Sequence, residues 1–525
     1  MAFNQNQTYK RIGIVGAGNM GTMMSLGFAE QGLDVSLWDI SNENVSQAIN
    51  MAKEAQEKEK LLKGKIEGFR DIHDFANSMK GDKPAVYIFS ITHGKPADSV
   101  MEKIWDYLTE GDIILDGGNE HYRNTERRQK ALASENVHWV GMGVSGGYQS
   151  ARRGPSMSPG GNKEAIEKVL PLLEKFAAKD PKSEKPCVAY IGPRGAGHFV
   201  KMVHNGIENG MLSTISEAWS IMHKSLRMPY DEIGEVFKKW DSTGELRDTY
   251  LVQIGSEICR TRKTPSGDKK GEGAGTAGFV LDDVLDKVVQ DDDNSEGTGY
   301  WTVSEAALRH VAAPTIATGH FLRVASGNRD QRLRVAENLK ILDNIPVPQE
   351  ATQNIKKAFL EDLRRAVYAS FLCSFCQGLE LIARASKDES WDIDLGTCIR
   401  IWRAGCIIQA GHIADMLEPV FHSDNAQEQP IMNIKLIDEV SSVLHENFQP
   451  LKNVVLKAME WDNYVPSLSA SLEYVKYAGG TMLPTQFMEA EMDYFGAHSY
   501  DRPHANGEDP GKTEKGAHHY EWKPA

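Results

Sequence analysis

The sequence predicts an α/β domain with a doubly wound parallel sheet, followed by a large all-α domain. Short apolar runs alternate with helical segments up to about residue 194, which is typical of βαβ units. From Gly195 to Tyr494 this alternation is replaced by long helical patterns. A glycine-rich turn close to the N-terminus is the third observation. We therefore predict domains at residues 1–194 and 195–498, with a polar C-terminal tail at 499–525.

Composition excludes several classes of function. The chain has 525 residues, 41% of them hydrophobic, which is enough for two or more domains with a sizeable core. Its net charge of −14 argues against a nucleic-acid or anionic-membrane partner. The sequence shows no long apolar run and no leader, so we predict a cytoplasmic protein that binds no membrane.

The cysteines and possible metal ligands give no sign of a disulfide framework or a metal site. Six cysteines in a chain of this length are too few for such a framework. Cys373 and Cys376 form a C-x-x-C pair, but they lie within an apolar helical pattern, so buried free thiols are expected. No group of ligands has the spacing of a metal site, and no metal is predicted.

The glycine-rich turn follows an apolar run, Arg11–Val15, and precedes a helix predicted at 22–31. Its residues are Gly16, Ala17, Gly18, Asn19, Met20 and Gly21. G-x-G-x-x-G between a strand and a helix is the fingerprint of a Rossmann-type dinucleotide site, in which the helix N-terminus faces the pyrophosphate. The turn therefore predicts a nicotinamide cofactor.

The end of the second strand indicates which nicotinamide cofactor is preferred. Asp34–Trp38 is followed by Asp39, 18 residues after Gly21. A carboxylate here can accept hydrogen bonds from both ribose hydroxyls of NAD and would repel the 2′-phosphate of NADP. NAD is therefore predicted as the preferred cofactor, with NADP possible. Asp39 or Ser41 could equally cap the next helix, a role compatible with ligand contact.

Further strands are predicted at residues 85–91, 112–116, 138–141 and 187–191. Three glycine-containing loops follow the first three of them, at residues 92–94, 116–119 and 144–147. Ligands of such sheets bind beyond the carboxyl ends of the strands. The three loops should therefore meet at one crevice.

A polar stripe opens the helical part of the chain. Lys201, His204, Asn205 and Glu208 are spaced i, i+3, i+4 and i+7 on a helix predicted from Gly195 to about residue 226, so they share one face. The rest of the helix is largely apolar, which indicates burial. A buried amine and carboxylate have the shifted pKa values that a general base and acid need. Ordinary surface charges are the alternative.

The remainder is predicted to be helical, with one exposed loop and a polar tail. Helices are expected at residues 231–240, 249–261, from 302 onward, 349–385 and 395–417, with the loop at 264–278. The tail after His498 is rich in Gly, Pro and His. It cannot form a core, so it is either disordered or docks on another surface.

A series of sequence blocks reveals a resemblance that covers residues 13–500. In chain order they read GNMG, DGGNEHYRNT, GVSGG, RGPSMSPGGNKEA, GAGHFVKMVHNGIE, EGTGYWT, YAS with QG, RAGCII and DYFGAHSYDRP. The chain resembles a divergent member of the decarboxylating 6-phosphogluconate dehydrogenase family. The resemblance implies a homodimer whose C-terminal tail reaches the partner's active site. It also implies oxidative decarboxylation of a 3-hydroxy aldonate to a ketopentose and CO2, in the pentose phosphate pathway or gluconate utilisation.

The resemblance assigns roles within the polar stripe and beyond it. Lys201 would remove the 3-hydroxyl proton as hydride passes to the nicotinamide, and Glu208 would protonate C1 of the enediol left by decarboxylation. The implied substrate-binding residues are Asn119, Ser145, Gly146, Gly147, His204, Asn205, Thr298, Arg323 and His498. The cofactor-binding residues are Gly16, Gly18, Asn19, Met20, Gly21, Asp39, Ile40, Ser41 and Asn119.

The chain departs from the family pattern in the cofactor segment. Asp39, Ile40 and Ser41 replace an Asn-Arg-Thr segment whose arginine holds the 2′-phosphate in the family. The replacement removes a cation and adds a carboxylate, which again predicts NAD.

A second departure lies at the positions that hold the 6-phosphate in the family. Asn209, Glu296 and Met492 stand at the family's tyrosine, lysine and tail-arginine positions. Each charge-assisted contact is worth about 1.5–3 kcal/mol. An alternative substrate is therefore an aldonate without the 6-phosphate, unless Arg502 or Lys287 compensates.

Two other functions compete with the decarboxylating enzyme. One is a non-catalytic nucleotide-binding regulator, which would not require both Lys201 and Glu208. The other is a simple dehydrogenase that stops at the keto acid. The presence of both residues argues against the regulator, and release of labelled CO2 would distinguish the decarboxylating enzyme from the simple dehydrogenase.

Overall fold

The computed structural model describes residues 9–81, 84–263, 278–288, 297–340, 353–423 and 431–523. The chain divides into two compact units, Met1–Leu472 and Glu473–Ala525. Within the first unit, a sheet-containing part is followed by a long series of helices, as the sequence predicts. The boundaries at residues 194 and 498 stay predictions.

The sheet of the first unit has seven strands. They are β1 (Arg11–Val15), β2 (Asp34–Trp38), β3 (Ile66–Phe69), β4 (Val86–Phe89), β5 (Ile113–Asp116), β6 (His138–Ser145) and β7 (Ser156–Gly160). Their spatial order is β3-β2-β1-β4-β5-β6-β7. β1 to β6 run parallel, while β7 pairs antiparallel with β6. The order of the parallel strands is that of a Rossmann-type dinucleotide-binding sheet, which confirms the predicted fold class.

Helices cover both faces of this sheet. They are α1 (Asn19–Glu30), α2 (Asn42–Glu59), α3 (Ile72–Ser78), α4 (Lys95–Ile104), α5 (Tyr122–Leu132), α6 (Gly147–Arg153) and α7 (Lys163–Phe176). Side chains alternate between the faces, so β4 sends Val86 and Ile88 into one core and Tyr87 and Phe89 into the other. Burial on both faces explains why the central strands are continuous apolar runs.

Three predictions for the sheet region were wrong. Helix α1 begins at Asn19 rather than at residue 22, because Gly18 is its N-cap and the fingerprint forms the first turn. Residues 187–191 form no strand, and Val188 alone among them makes an isolated bridge, to Met157. The outer strands β3 and β7 were missed. β3 is short and partly exposed, and β7 contains a proline, which is tolerated at a sheet edge.

The helical region begins with α8 (Ala196–Ser220), extended by a π-helical turn at Ile221–Ser225. Its other helices are α9 (Tyr230–Ser242), α10 (Tyr250–Arg260), α11 (Thr298–Leu308), α12 (Pro314–Gly327), α13 (Arg329–Leu339), α14 (Gln353–Glu389), α15 (Leu395–Ile401), α16 (Gly411–Phe421), α17 (Asp438–Glu460) and α18 (Pro466–Ala478). Short 3-10 turns lie at Trp105–Tyr107, Ala133–Glu135, Val280–Asp283 and Ile434–Leu436.

The helix predicted at 395–417 is in fact two helices, α15 and α16. Gly405 lies between them with a φ of 69°, a conformation that favours glycine. A Cβ there would lie 2.6 Å from the Ala178 side chain, so the chain turns where it approaches the first domain. The loop predicted at 264–278 lies almost wholly outside the described residues.

Helix α8 lies directly against the sheet. A Cβ on Gly197 would lie 2.2 Å from the Gly141 carbonyl oxygen and 2.4 Å from that of Ser158. Backbone therefore packs on backbone, and the first turn of α8 is held against β6 and β7. α8 also packs against α11, α12 and α14 in the helical region.

Lys356–Glu389 is long and apolar enough to cross a membrane, but 94% of its apolar window is buried inside the protein. This degree of burial is typical of a helix in the core of a protein. The six cysteines are buried and free, which confirms the prediction of buried thiols.

The far end of α8 carries a buried carboxylate, Glu217. Its two oxygens accept hydrogen bonds from the Ser467 and Leu468 backbone N–H groups at the start of α18, at 2.8 and 3.0 Å. Burial raises the pKa of Glu217 from 4.5 to about 7. The carboxyl group therefore connects α8 to α18 by hydrogen bonds. Its pKa lies well above that of an ordinary glutamate.

We expect stability to depend on pH through Glu217. Between pH 4.5 and about 7 the unfolded chain loses this proton while the folded protein keeps it. The free energy of unfolding should therefore fall with rising pH, by up to about 3 kcal/mol from this group. Denaturant unfolding of wild type and Glu217→Gln across this window measures the difference. Parallel pH profiles would show that Glu217 does not titrate there.

The second unit contains helix α19 (Thr485–Gly496) and the tail. Asp493, on α19, is fully buried. It accepts hydrogen bonds from the Ser499 N–H, His519 Nδ1, the Tyr520 N–H and Trp522 Nε1. These donors hold the pKa of Asp493 below its usual range despite burial. Of the two predicted alternatives for the tail, docking is the one observed, and the tail docks on α19 of its own unit.

Candidate active site

The glycines of the fingerprint turn serve two purposes. Gly16 has a φ of 103°, and a Cβ on it would lie 2.2 Å from the Ser90 carbonyl oxygen. A Cβ on Gly21 would lie 1.8 Å from the Gly16 carbonyl oxygen. Around Gly18, by contrast, a Cβ would meet nothing within 4 Å. Gly16 and Gly21 therefore permit tight packing, while Gly18 borders open space.

Asp39 holds the turn in place from the end of β2. Its carboxylate accepts a hydrogen bond from the Ala17 backbone N–H at 2.6 Å and from the Ser41 N–H at 2.8 Å. Ser41 in turn caps α2 by accepting from the Asn44 N–H. The side chain of Ile40 is 84% exposed. The carboxylate thus lies beside the fingerprint turn, next to an exposed apolar residue.

A cleft of about 1120 Å³ runs from this turn to helix α8. The loops after β4, β5 and β6 meet along it, as the sequence predicts. Predicted site residues that line it are Gly16, Gly18, Asn19, Met20, Asp39, Ile40, Asn119, Gly146, Gly147, Lys201, Asn205 and Glu208. A volume of this size is sufficient for a dinucleotide and a small substrate.

The polar stripe of α8 is organised around Asn205. Lys201 Nζ donates to Asn205 Oδ1 at 2.8 Å and to Ser145 Oγ at 3.1 Å. Asn205 Nδ2 donates to Thr298 Oγ1 at 3.0 Å. Lys201 is 7% exposed, and its Cβ approaches Gly143, where a side chain would lie 2.3 Å away. The amine is therefore fixed between β6, α8 and the start of α11.

His204 is a neutral hydrogen-bond donor in this stripe. Burial and the positive charge of Lys201 lower the pKa of His204 well below its usual range. Asn205 Oδ1 faces the Lys201 ammonium, which only donates, so the His204 proton lies on Nδ1, 3.0 Å from the same oxygen. Glu208 Oε2 is 3.9 Å from His204 Nδ1, and it forms no ion pair with this neutral ring.

The other predicted residues lie behind the cleft or away from it. Gly21 packs under the turn, and Ser41 caps α2. Ser145 and Thr298 contact the stripe, to which His204 itself belongs. Arg323 is half-buried on α12, a helix that packs against α8, but it does not line the cleft. His498 is exposed in the second unit, next to Phe495. The roles of all these residues stay predictions.

The structure describes two of the three residues that stand at the family's phosphate-binding positions. Asn209 is buried on α8, with its Nδ2 3.2 Å from a Cβ built on Gly299. Met492 is half-buried on α19, in the second unit. Glu296 lies outside the described residues.

Sequence reasoning missed two groups of residues around the cleft. Lys95, Ser99 and Lys103 line it from α4. Their i, i+4, i+8 spacing after a glycine-containing loop was the available signal.

The second group is an ionic cluster behind Asn119, formed by Asp116, Glu120 and Arg128. Burial and the charge of Glu120 raise the pKa of Asp116 to about 7. No local pattern in the sequence marks this cluster.

We expect Gly18→Ala to weaken cofactor binding without loss of stability. Its φ of −70° suits alanine, and the added methyl group meets no protein atom but occupies the cleft. The dissociation constant for NADH, measured by fluorescence titration, should rise about tenfold or more, since this glycine lets a pyrophosphate approach the backbone. The unfolding midpoint should be unchanged.

The matched variant Gly197→Ala should behave in the opposite way. Its methyl group would collide with the backbone of β6 and β7, and overpacking of this kind costs about 1–3 kcal/mol. Equal unfolding midpoints for the two variants would contradict the distinction between them.

Comparison with known proteins identifies the family. A model of the NAD-binding domain of 6-phosphogluconate dehydrogenase matches residues 11–192, and one of the C-terminal domain of 6-phosphogluconate dehydrogenase matches residues 197–522. The decarboxylating 6-phosphogluconate dehydrogenase of Emericella nidulans is 58% identical over 96% of this chain and 100% of its own. The chain belongs to the decarboxylating 6-phosphogluconate dehydrogenase family. It is an oxidoreductase with an NAD(P)-binding domain.

Further members of the 6-phosphogluconate dehydrogenase family also match this chain over nearly its whole length. Decarboxylating 6-phosphogluconate dehydrogenase 1 of Spinacia oleracea is 37% identical over 94% of this chain and 95% of its own. The structure of the Plasmodium falciparum enzyme, solved with NADP+ and with 6-phosphogluconate, is 32% identical with a TM-score of 0.81. That match covers 98% of this chain and 100% of the Plasmodium chain. The chain as a whole is therefore not a divergent member of the family, which corrects that part of the expectation from the sequence.

Proposed function

We propose that this protein catalyses NAD(P)-dependent oxidation and decarboxylation of a 3-hydroxy aldonate of the 6-phosphogluconate type. The observation that carries the proposal is that Lys201 and Glu208 line the same cleft as the dinucleotide fingerprint. A base and an acid on one helix face can act in turn on a substrate placed beside a nicotinamide. The relatives' names support this chemistry.

The proposed reaction has three steps. In its deprotonated form, Lys201 takes the proton of the 3-hydroxyl group while hydride leaves C3 for the nicotinamide, and Lys201 becomes an ammonium. The resulting 3-keto group accepts the electron pair released when the carboxylate departs as CO2, and the Lys201 ammonium stabilises the enolate oxygen. Glu208 then protonates C1 of the enediol to give the ketopentose. Asn205 and Ser145 keep the amine in position through their hydrogen bonds.

Asp39 and Ile40 support a preference for NAD. The carboxylate already accepts two backbone N–H groups at the cleft, and the neighbouring exposed side chain is apolar. A 2′-phosphate would meet a negative charge and gain no cation from Ile40. NADP use is weaker on this proposal.

A second candidate substrate is an aldonate without the 6-phosphate. Asn209 is a buried neutral side chain where the family has a tyrosine, and Met492 replaces an arginine. We also propose a cytoplasmic homodimer, as the resemblance implies.

A two-by-two assay tests the proposal. We would supply 6-phosphogluconate or gluconate with NAD or NADP and follow absorbance of the reduced cofactor. Faster turnover with NAD than with NADP is expected. The ratio of the two substrate rates then decides between the candidate aldonates. Absence of turnover with either acid and with related aldonates would contradict the proposed function.

A further inference from the structure

A buried ion pair lies behind the reacting end of the cleft. Arg128 on α5 and Glu120 in the loop after β5 are 3% and 2% exposed. Arg128 Nη1 donates to Glu120 Oε2 at 2.6 Å. Desolvation cancels much of the attraction in such a pair, so its presence is weak evidence of a contribution to stability. A role in fixing local geometry is the alternative use of a buried pair.

Both members of the pair form hydrogen bonds with Gly94, which lies in the loop after β4. Glu120 Oε2 accepts the Gly94 backbone N–H at 2.8 Å, and Arg128 Nη2 donates to the Gly94 carbonyl oxygen at 2.7 Å. Gly94 has a φ of 80° and forms the N-cap of α4. Arg128 Nε also donates to Asp98, one turn into α4, at 2.8 Å. The pair thus fixes both the loop after β4 and the start of the helix that follows.

The two loops that the pair contacts, after β4 and after β5, both line the cleft. Thr92 and His93 line it immediately before Gly94, and Asn119 lines it immediately before Glu120. Glu120 Oε1 accepts the His121 backbone N–H at 2.7 Å, which orients the carboxylate from its own loop. The pair therefore connects the two loops by hydrogen bonds.

Hydrogen bonds also connect β5 and α5 to α8, the helix that carries Lys201. His198 precedes Lys201 by one turn of α8, and its Nε2 lies 2.9 Å from the Asp116 carbonyl oxygen. His198 Nδ1 lies 2.6 Å from Thr125 Oγ1 on α5. The two loops are therefore connected by hydrogen bonds to α5 and, through His198, to the helix that carries Lys201.

We propose that Glu120 and Arg128 are positioning residues that hold the loops at residues 92–94 and 117–119 at a fixed separation, and so align the nicotinamide with Lys201. The inference rests on the proposed function for its kinetic consequence. Misplacement of reacting groups by about 1 Å can cost about 100-fold in rate.

The test compares Glu120→Gln and Arg128→Lys with a matched control, Arg127→Lys. Arg127 donates to both oxygens of Asp98, at 2.9 and 2.8 Å, but is exposed and contacts neither loop. Glu120→Gln turns an amide N–H either toward Arg128 and Gly94 or toward the His121 N–H and Asn124 Nδ2, so donors face donors in either orientation. Arg128→Lys removes the forked geometry. Both should lower kcat by about 10- to 100-fold. Arg127→Lys should match wild type.

Two further readouts separate positioning from a general loss of structure. The unfolding midpoint of Arg127→Lys should stay close to that of wild type, whereas Glu120→Gln should unfold earlier because it leaves the buried Arg128 charge without one of its carboxylate partners. All rates are therefore compared at a temperature at which every variant is fully folded. With substrate deuterated at C3, the isotope effect on kcat should rise in Glu120→Gln and Arg128→Lys, because hydride transfer becomes slower than the other steps. Unchanged kcat and isotope effects would overturn the proposal, as would a loss of kcat that only follows a loss of folded protein.

A binding measurement distinguishes failure of this inference from failure of the proposed function. In complexes with NADH, the fluorescence anisotropy decay of the nicotinamide reports how firmly the ring is held. Added mobility in Glu120→Gln and Arg128→Lys, but not in Arg127→Lys, would support the inference even if wild type turned over no aldonate. Wild-type turnover with equal ring mobility in all variants would overturn the inference alone.

Discussion

Lys201→Met should reduce turnover by roughly 10²- to 10⁴-fold, the range expected for loss of a general base. Methionine preserves most of the side-chain volume at this buried position but can neither accept the 3-hydroxyl proton nor stabilise the enolate. The hydrogen bonds from Nζ to Ser145 and Asn205 are lost as well. Steady-state kinetics with the better aldonate and saturating NAD would measure the effect.

The control for this experiment is Lys238→Met, which removes an exposed amine on α9. Binding of NADH to Lys201→Met should be close to that of wild type, because the fingerprint turn and Asp39 are unchanged. If Lys201→Met kept the turnover of the control, Lys201 would not be the base, and a binding role for the stripe would be favoured.

Ile40→Arg should shift the cofactor preference toward NADP by about 10- to 100-fold in kcat/KM, since a charge-assisted contact is worth about 1.5–3 kcal/mol. The Ile40 side chain is 84% exposed, so its replacement disturbs little packing. Adding Asp39→Asn removes the carboxylate that repels the 2′-phosphate, and the double variant should prefer NADP. Initial rates with NAD and NADP at fixed aldonate concentration give the ratio.

Ile40→Gln is the matched neutral control, with similar length and no charge. It should leave the ratio of NAD to NADP use near that of wild type. The double variant carries a known cost, because Asp39 accepts the Ala17 and Ser41 N–H groups and asparagine can satisfy only one of them with its oxygen. An Ile40→Arg ratio equal to that of Ile40→Gln would contradict the proposed position of the 2′-hydroxyl.

The parts of the fold that could be predicted are those with strong local signals. β1 and β2 have the predicted bounds, and in both strands every residue after the first is buried, as their mostly apolar side chains predict. The fingerprint marks the turn between β1 and α1. The stripe on α8 depends only on helical spacing, so Lys201 and Asn205 meet as expected.

The features that could not be predicted depend on distant parts of the chain. Gly405 breaks a helical pattern because Ala178 approaches it, and β7 forms because β6 offers a free edge. The bonds from Glu120 and Arg128 to Gly94 require β4 and β5 to be neighbours, which sequence order alone does not establish. Such contacts appear only once the sheet order is known.

Release of CO2 from an aldonate radiolabelled at C1 tests the central claim most directly. Wild-type protein would be incubated with labelled 6-phosphogluconate, or labelled gluconate in parallel, and NAD, and labelled gas and NADH would be measured together. We predict equimolar CO2 and NADH from the better substrate. NADH without labelled CO2 would indicate a dehydrogenase that stops at the keto acid, and formation of neither product would contradict the account.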